Sequence, residues 1–317
     1  EVLMSICIID SLRGSACASA AKDVIQREKH DQRSTAAKLI DLVCAIFNHI
    51  KVLMAKSARR LFAGDFPTPL AAGEKVEYSK DSLPWKSQSS SGLYLFIHGL
   101  RGHPTDWARY VQRVPGGFTI FVPRIFKKGN VSLEEAASPL LEVVRDYLKE
   151  HPGKPIQIIG TSNGSRIATY IENHLSCEEL GESSLRIASV AGVLKGTKLI
   201  NFLERFHLTP LAGLNNMLKE EFKWKSKVAI ELKDSWKTKQ KEWDEQGKDV
   251  KHLFCATRQD ELVWPIRSSI FASGASEALI YSGQTHTSIV ERACDDVCNW
   301  LSSKTDNFKQ VKRGVYE

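Results

Sequence analysis

Short, mostly apolar runs set the strongest limit on how this chain can fold. Leu93–Ile97 reads LYLFI, residues 118–122 read FTIFV and residues 155–159 read PIQII. A strand with apolar side chains at nearly every position is buried on both faces, as in a parallel sheet covered by helices. A fourth strand is expected within 185–193, a fifth at 250–256 (VKHLFCA) and a short sixth at 278–281 (ALIY). Between them lie helical patterns. Residues 132–151 open with a Ser132/Glu135 capping box and then carry apolar residues at helical spacing. Pro139 falls inside that stretch, which implies a kink or a later start. Helices are also expected at 165–175 and 288–301. Strands alternating with helices give an α/β fold, with a mostly parallel sheet joined by right-handed crossovers.

The flanks differ from this centre. Residues 1–66 read as a helical N-terminal extension. Ala36, Ile40, Val43, Phe47, Ile50 and Met54 recur at three and four to make one apolar stripe, with Lys51, Lys56, Arg59 and Arg60 at its C-terminal end. Such a stripe is expected to pack on its own domain, the other reading being peripheral contact with a membrane. Asp41, Asn48, His49 and Lys51 interrupt the apolar segment, so no spanning helix is expected. The apolar run at 2–9 lacks a preceding basic region, so no signal peptide is expected either. Residues 67–92, punctuated by Pro67, Pro69, Gly73, Pro84 and three serines, read as a linker or edge hairpin. Residues 93–302 form the main domain and 303–317 a tail. Within the main domain, residues 198–248 break the alternation and read as a helical insertion covering the C-terminal ends of the strands.

Composition excludes several classes. Hydrophobic residues are 42% and charged residues 26%, which suits a globular chain rather than a disordered one. A net charge of +7 can favour an anionic surface, but no arginine-rich, aromatic-interleaved patch points to nucleic acid. The seven cysteines form no CxxC pair, so no zinc site and no disulfide framework are expected. They read as buried thiols in a reducing compartment, with Cys294 and Cys298 on one helix face.

The chemistry is carried by Gly160-Thr161-Ser162-Asn163-Gly164, a G-x-S-x-G motif. Alone it is weak, since a chain of this length gives about 0.1 chance matches. Here a strand runs into it and a helix runs out, the setting a nucleophile elbow requires. Gly160 and Gly164 remove Cβ atoms where backbone segments must approach closely. The same residues could otherwise form an ordinary turn. A serine hydroxyl needs a base. His286 follows the last strand and precedes the last helix, so it is the candidate. An orienting acid is expected after the fifth strand: Asp260, with Glu261 as the neighbouring alternative. The order Ser, Asp, His along the chain is that of one triad fold and not of the others. The turn His98-Gly99-Leu100 after the first long strand supplies a backbone N–H, that of Leu100, opposite the N–H of Asn163. His98 reads as bracing that loop.

These segments resemble the α/β-hydrolase superfamily, in its lipase and serine-esterase-like branch. The stretch His98 to Trp107 (HGLRGHPTDW) is similar to the HGL-x-G-x-x-x-D-W run of serine esterases. GTSNG is similar to the elbow, DELVWP to the acid loop, QTHTSIV to the histidine loop and SVAGVLKGT to a loop entering the site. The resemblance covers roughly residues 93–302 and implies an eight-stranded, mostly parallel sheet and an acyl-enzyme mechanism without metal or cofactor. By it Ser162 is nucleophile, His286 base and Asp260 orienting acid. Two positions depart from the family pattern. Thr161 stands where histidine is common, and Ser165 where many members carry a second glycine. Residues 1–92 resemble nothing nameable.

The expected activity is hydrolysis of carboxylic esters, lipid esters included, by a protein that is cytoplasmic or peripheral to a membrane. A thioesterase, acyltransferase or peptidase would use the same residues. A scaffold that binds a partner or ligand without turnover is the alternative of a different class. Trp224, Trp236 and Trp243 in the insertion could line an acyl groove, or simply pack the insertion.

Overall fold

In the computed structural model, residues 19–29, 33–62, 90–207, 214–272 and 276–302 are described. Seven strands form one sheet among them: β1 (Ser19–Ala20), β2 (Leu93–Ile97), β3 (Thr119–Phe121), β4 (Ile156–Thr161), β5 (Leu185–Val190), β6 (Val250–Thr257) and β7 (Ser276–Tyr281). Their order is β1-β7-β6-β5-β4-β2-β3, and every pair is parallel except β1 with β7. The implied eight-stranded sheet is therefore seven-stranded over the described residues, and its antiparallel edge strand comes from the N-terminal extension. The six strands expected from apolar runs are all present.

The parallel register explains the apolar runs. Every residue of β2 is buried, with alternate side chains entering two different cores. Leu93, Leu95 and Ile97 face the core made with α4 (Leu133–Glu150) and α5 (Asn163–His174). Tyr94 and Phe96 face the opposite core, with Trp107, Tyr110 and helices α10 (Ser288–Arg292) and α11 (Cys294–Ser302). Helix α4 begins at Leu133 and runs on through Pro139, because the Ser132/Glu135 capping box fixes its start. The single helix expected at 288–301 is two, broken at Ala293.

Between β5 and β6 lie α7 (Lys198–Arg205), α8 (Asn216–Phe222) and α9 (Lys227–Glu245). The last behaves as part of the main body. Trp236 is 1% exposed and packs on His252, Phe254 and Phe271, while Leu232 and Trp243 join the core around α4. The described residues of the remaining part, 198–207 and 214–222, stand at the strand ends beside Val193 and Ser162.

Short helices α3 (Ala108–Val111) and α6 (Cys177–Leu180) lie in the main domain, and the N-terminal residues form β1, α1 (Ala21–Lys29) and α2 (Thr35–Phe62). The apolar stripe of α2, expected to pack on its own domain, does not. The stripe Ala36, Ile40, Val43, Phe47, Ile50 and Met54 faces outward. The inward face carries buried Asp41, Cys44, Ala45 and Val52, with Asn48 and His49 half-buried. Asp41 is paired with Arg33, and Asn48 and His49 hydrogen-bond the main domain. Directed polar contacts oriented the helix, and hydrophobic periodicity cannot register them. No helix among the described residues is long and apolar enough to cross a membrane. Residues 63–89 and 303–317, which contain most of the expected linker and the tail, lie outside the described residues.

Truncating Trp236 tests whether α9 is integral to the fold. Trp236→Ala removes a fully enclosed ring, and a stability loss of about 3–5 kcal/mol is expected. It would appear as a lowered urea midpoint with an unchanged slope.

Candidate active site

Ser162 sits between β4 and α5 with φ 54° and ψ −119°, a left-handed conformation that a residue with a Cβ adopts only under constraint. The constraint is visible around it. A Cβ on Gly160 would lie 2.5 Å from the Gly164 carbonyl oxygen, and one on Gly164 would lie 2.1 Å from that of Ile97. Strand and helix thus touch through glycine backbone on both sides of the serine. The Ser162 N–H donates to the Val190 carbonyl at 3.0 Å, and its own carbonyl accepts from Ser165 at 3.1 Å. Ser165, at the position where a second glycine is common, donates its hydroxyl to the Gly160 carbonyl at 2.9 Å.

The histidine loop and acid loop meet. The Nδ1 of His286 lies 2.9 Å and 3.1 Å from the two carboxylate oxygens of Asp260. A carboxylate only accepts, so Nδ1 carries the proton and Nε2 is left as the basic nitrogen. Asp260 Oδ1 also accepts the N–H groups of Leu262 and Val263, at 3.0 and 2.7 Å. Glu261, the alternative acid, instead accepts the backbone N–H of His286 at 3.0 Å. The two loops are pinned together beyond this: Thr257 donates to the Gln284 carbonyl, and the Gly283 N–H donates to Gln259. Ser162 and His286 line one cavity of about 620 Å³.

Gly99 and Leu100 border the same cavity. A Cβ on Gly99 would lie 2.8 Å from that of Ser162, so only glycine lets this loop approach the serine. Asn163 opens α5, and the first N–H groups of a helix have no acceptor within it. Its side chain is held by Arg166 at 3.2 Å and by the Gly129 carbonyl at 3.4 Å. His98 is 2% exposed. Its Nε2 accepts the Ile125 N–H at 3.2 Å, so its Nδ1 donates to the Gly99 carbonyl at 2.8 Å. Burial holds its pKa below the ordinary 6.5. His98 ties together the loops that follow β2 and β3.

The cavity walls are mainly apolar. Leu199, Ile200, Leu203, Leu214 and Phe222 come from residues 198–222, and Val193, Val263 and Val290 from the main body. Trp224, Trp236 and Trp243 are not among the residues lining it; the last two are buried in the cores. Arg101 and Asp106 add charge at its edge.

Two supports were not identified from the sequence. Arg166 and Glu221 form a buried pair at 2.8 Å, with side chains 1% and 8% exposed. Glu221 also accepts the Leu133 N–H, one of the free donors at the start of α4. The pair binds α8 to the elbow helix. The second support is α2: Asn48 donates to the Gly283 carbonyl at 2.8 Å, and His49 Nδ1 hydrogen-bonds Thr285 Oγ1 at 3.0 Å. The only sequence signal for this was that Asn48 and His49 interrupt an apolar segment.

The mostly parallel sheet, the elbow after β4, the acid loop after β6 and the histidine loop after β7 make up the α/β-hydrolase fold that the motifs imply. Solved structures similar to this chain include Est1E from Butyrivibrio proteoclasticus, described with bound ferulic acid. It is 17% identical, with 69% of this chain and 91% of that one covered and a TM-score of 0.47. The peroxisomal α/β-hydrolase Lpx1 of Saccharomyces cerevisiae is 13% identical over 70% of this chain and 80% of that one, with a TM-score of 0.44. A structure from work on carboxylesterases of Nitrososphaera gargenis is 14% identical over 68% and 91%, also with a TM-score of 0.44. No protein-family model and no curated protein matches the chain.

Two measurements test the supports. Glu221→Ala strands a buried guanidinium, and a loss of about 3–5 kcal/mol is expected in chemical denaturation. For His98, the folded pKa lies below the unfolded value of about 6.5. Its contribution is therefore complete above pH 6.5 and is lost as pH falls through the folded pKa. Wild type should lose up to about 1.4 kcal/mol per pH unit in this window beyond what His98→Asn loses. Equal acid sensitivity in the two proteins would refute the assignment.

Proposed function

We propose that the protein is a serine hydrolase that cleaves carboxylic esters through an acyl-enzyme. The observation that carries this reading is the Nδ1 contact of His286 with Asp260 beside a strained, cavity-lining Ser162. In the proposed reaction, Nε2 of His286 takes the proton of the Ser162 hydroxyl as its oxygen attacks the ester carbonyl. Asp260 holds the ring in the required tautomer and stabilises the imidazolium that forms. The N–H groups of Leu100 and Asn163 receive the developing oxyanion. His286 then returns the proton to the departing alcohol, and water, deprotonated by the same nitrogen, releases the acid.

Wall chemistry supports an apolar acyl group rather than a charged one. The wall from Leu199 to Phe222 belongs to the segment between β5 and β6, so acyl-chain choice is assigned to that segment and not to the triad. Thioesterase or acyltransferase activity would differ only in the leaving group and acceptor.

Hydrolysis of p-nitrophenyl esters from acetate to palmitate is the direct test. The kcat/KM should rise with acyl length while methylenes are still being buried, by up to about fourfold each. Ser162→Ala should abolish it and labelling by a fluorophosphonate probe, and Asp260→Asn should lower kcat by about 10⁴. Folded wild type that neither turns over nor labels would refute the assignment and favour a non-catalytic scaffold.

A further inference from the structure

Helix α2 exposes a face that the main domain leaves uncovered. Leu39, Val43, Ile46, Phe47, Ile50 and Met54 are each at least 41% exposed, and Met54 reaches 70%. Soluble surfaces seldom carry so continuous an apolar patch without a use for it. Two features identify the occupant. The first is charge. Toward its C-terminal end the helix holds Lys51, Lys56, Arg59 and Arg60, and from Thr35 to Phe62 the sequence has one acid, Asp41. That acid is buried and paired with Arg33, so the helix offers water no carboxylate. The second is the lack of directional groups. Between residues 39 and 54, Lys51 is the one described, exposed side chain able to hydrogen-bond, because Asn48 and His49 turn inward to Gly283 and Thr285. A protein interface carries roughly one hydrogen bond per 100–200 Å². An apolar stripe flanked by cations and free of such groups suits an anionic lipid surface, where the stripe enters the acyl boundary and the cations meet headgroups.

We propose that α2 is a docking element that lays the protein on an anionic lipid surface, and that the substrate is an acyl ester resident in that surface. The second half rests on the ester-hydrolase reading. Docking and chemistry are adjacent. The inward side of α2 grips Gly283 and Thr285, which lead into His286 in sequence, and His49 Nδ1 lies 3.9 Å from Glu261. Next to Glu261, Leu262 borders the cavity and is itself half-exposed, and Trp264 beyond it is more so. A surface-bound protein therefore holds its histidine and acid loops beside the layer that supplies the ester.

The test separates docking from catalysis. Full-length Ser162→Ala is floated with vesicles of phosphatidylcholine, with and without about one-third phosphatidylglycerol. Flotation is expected with the anionic vesicles. It should weaken about fivefold in Lys51→Gln and disappear in Ile46→Glu/Phe47→Glu. Absence of flotation, or flotation that survives Ile46→Glu/Phe47→Glu, overturns docking whatever the enzyme does. Sedimentation without vesicles adds a further check: self-association abolished by Ile46→Glu/Phe47→Glu assigns the face to a second copy and overturns the proposal. In otherwise wild-type protein, Ile46→Glu/Phe47→Glu should keep hydrolysis of soluble p-nitrophenyl acetate and lose about tenfold on an ester lipid in anionic vesicles. If both activities are unchanged, the substrate assignment fails. If docking is observed but wild type cleaves no ester, the hydrolase reading fails and docking stands.

Discussion

Everything at the candidate site depends on how closely β4 and α5 approach each other and the end of β2. Gly164 lies against the Ile97 carbonyl, Gly160 against Gly164, and Gly99 against Ser162. No side chain fits at any of the three. With the glycines present, the chain reverses within one residue, and Ser162 takes the positive φ that such a turn requires. That strain is sustained by hydrogen bonds on both sides of the serine, to Val190 and from Ser165. The parallel sheet then delivers the other groups to the same end, since the loops after β2, β4, β6 and β7 all leave the C-terminal edges of their strands.

Around this centre the supports are polar and point to backbone. His98 joins two loops, Glu221 satisfies a helix start while neutralising Arg166, and Asn48 and His49 hold the histidine loop from outside. Apolar packing fixes the layers to within the tolerance of a side-chain contact. A reacting serine and histidine need tighter placement, and hydrogen bonds with defined direction provide it. The cavity wall contributed by residues 198–222 is different. Its cavity-facing side chains are apolar, while Glu221, Asn215 and Asn201 tie it down through Arg166, Asn130 and the Trp224 N–H.

The sequence disclosed whatever has a local or periodic signature. Fully buried parallel strands appear as mostly apolar runs, and the elbow appears as glycines at fixed spacing. The order of Ser162, Asp260 and His286 could be read because each lies in the segment that leaves a strand. Contacts between distant polar residues have no such signature. Arg166 and Glu221 are 55 positions apart, and nothing near either residue marks its partner. The outcome for α2 has the same origin. Periodicity identified an apolar stripe but not what covers it. Burying Asp41 with Arg33 and bonding Asn48 and His49 to the histidine loop turned the stripe outward.

That orientation has an energetic consequence. Leaving large aliphatic side chains in water forgoes about 25 cal/mol for every Å² that could have been buried. A helix that buries a carboxylate and turns a half-buried imidazole inward while exposing Phe47 and Met54 would be poorly arranged if α2 served only to stabilise the sheet beneath it. Rotating the helix to bury the stripe would recover the apolar term. It would also release the Asn48 and His49 contacts to the loop that carries His286. The arrangement fits a helix with two binding faces, a polar one holding the histidine loop and an apolar one held in reserve for a surface.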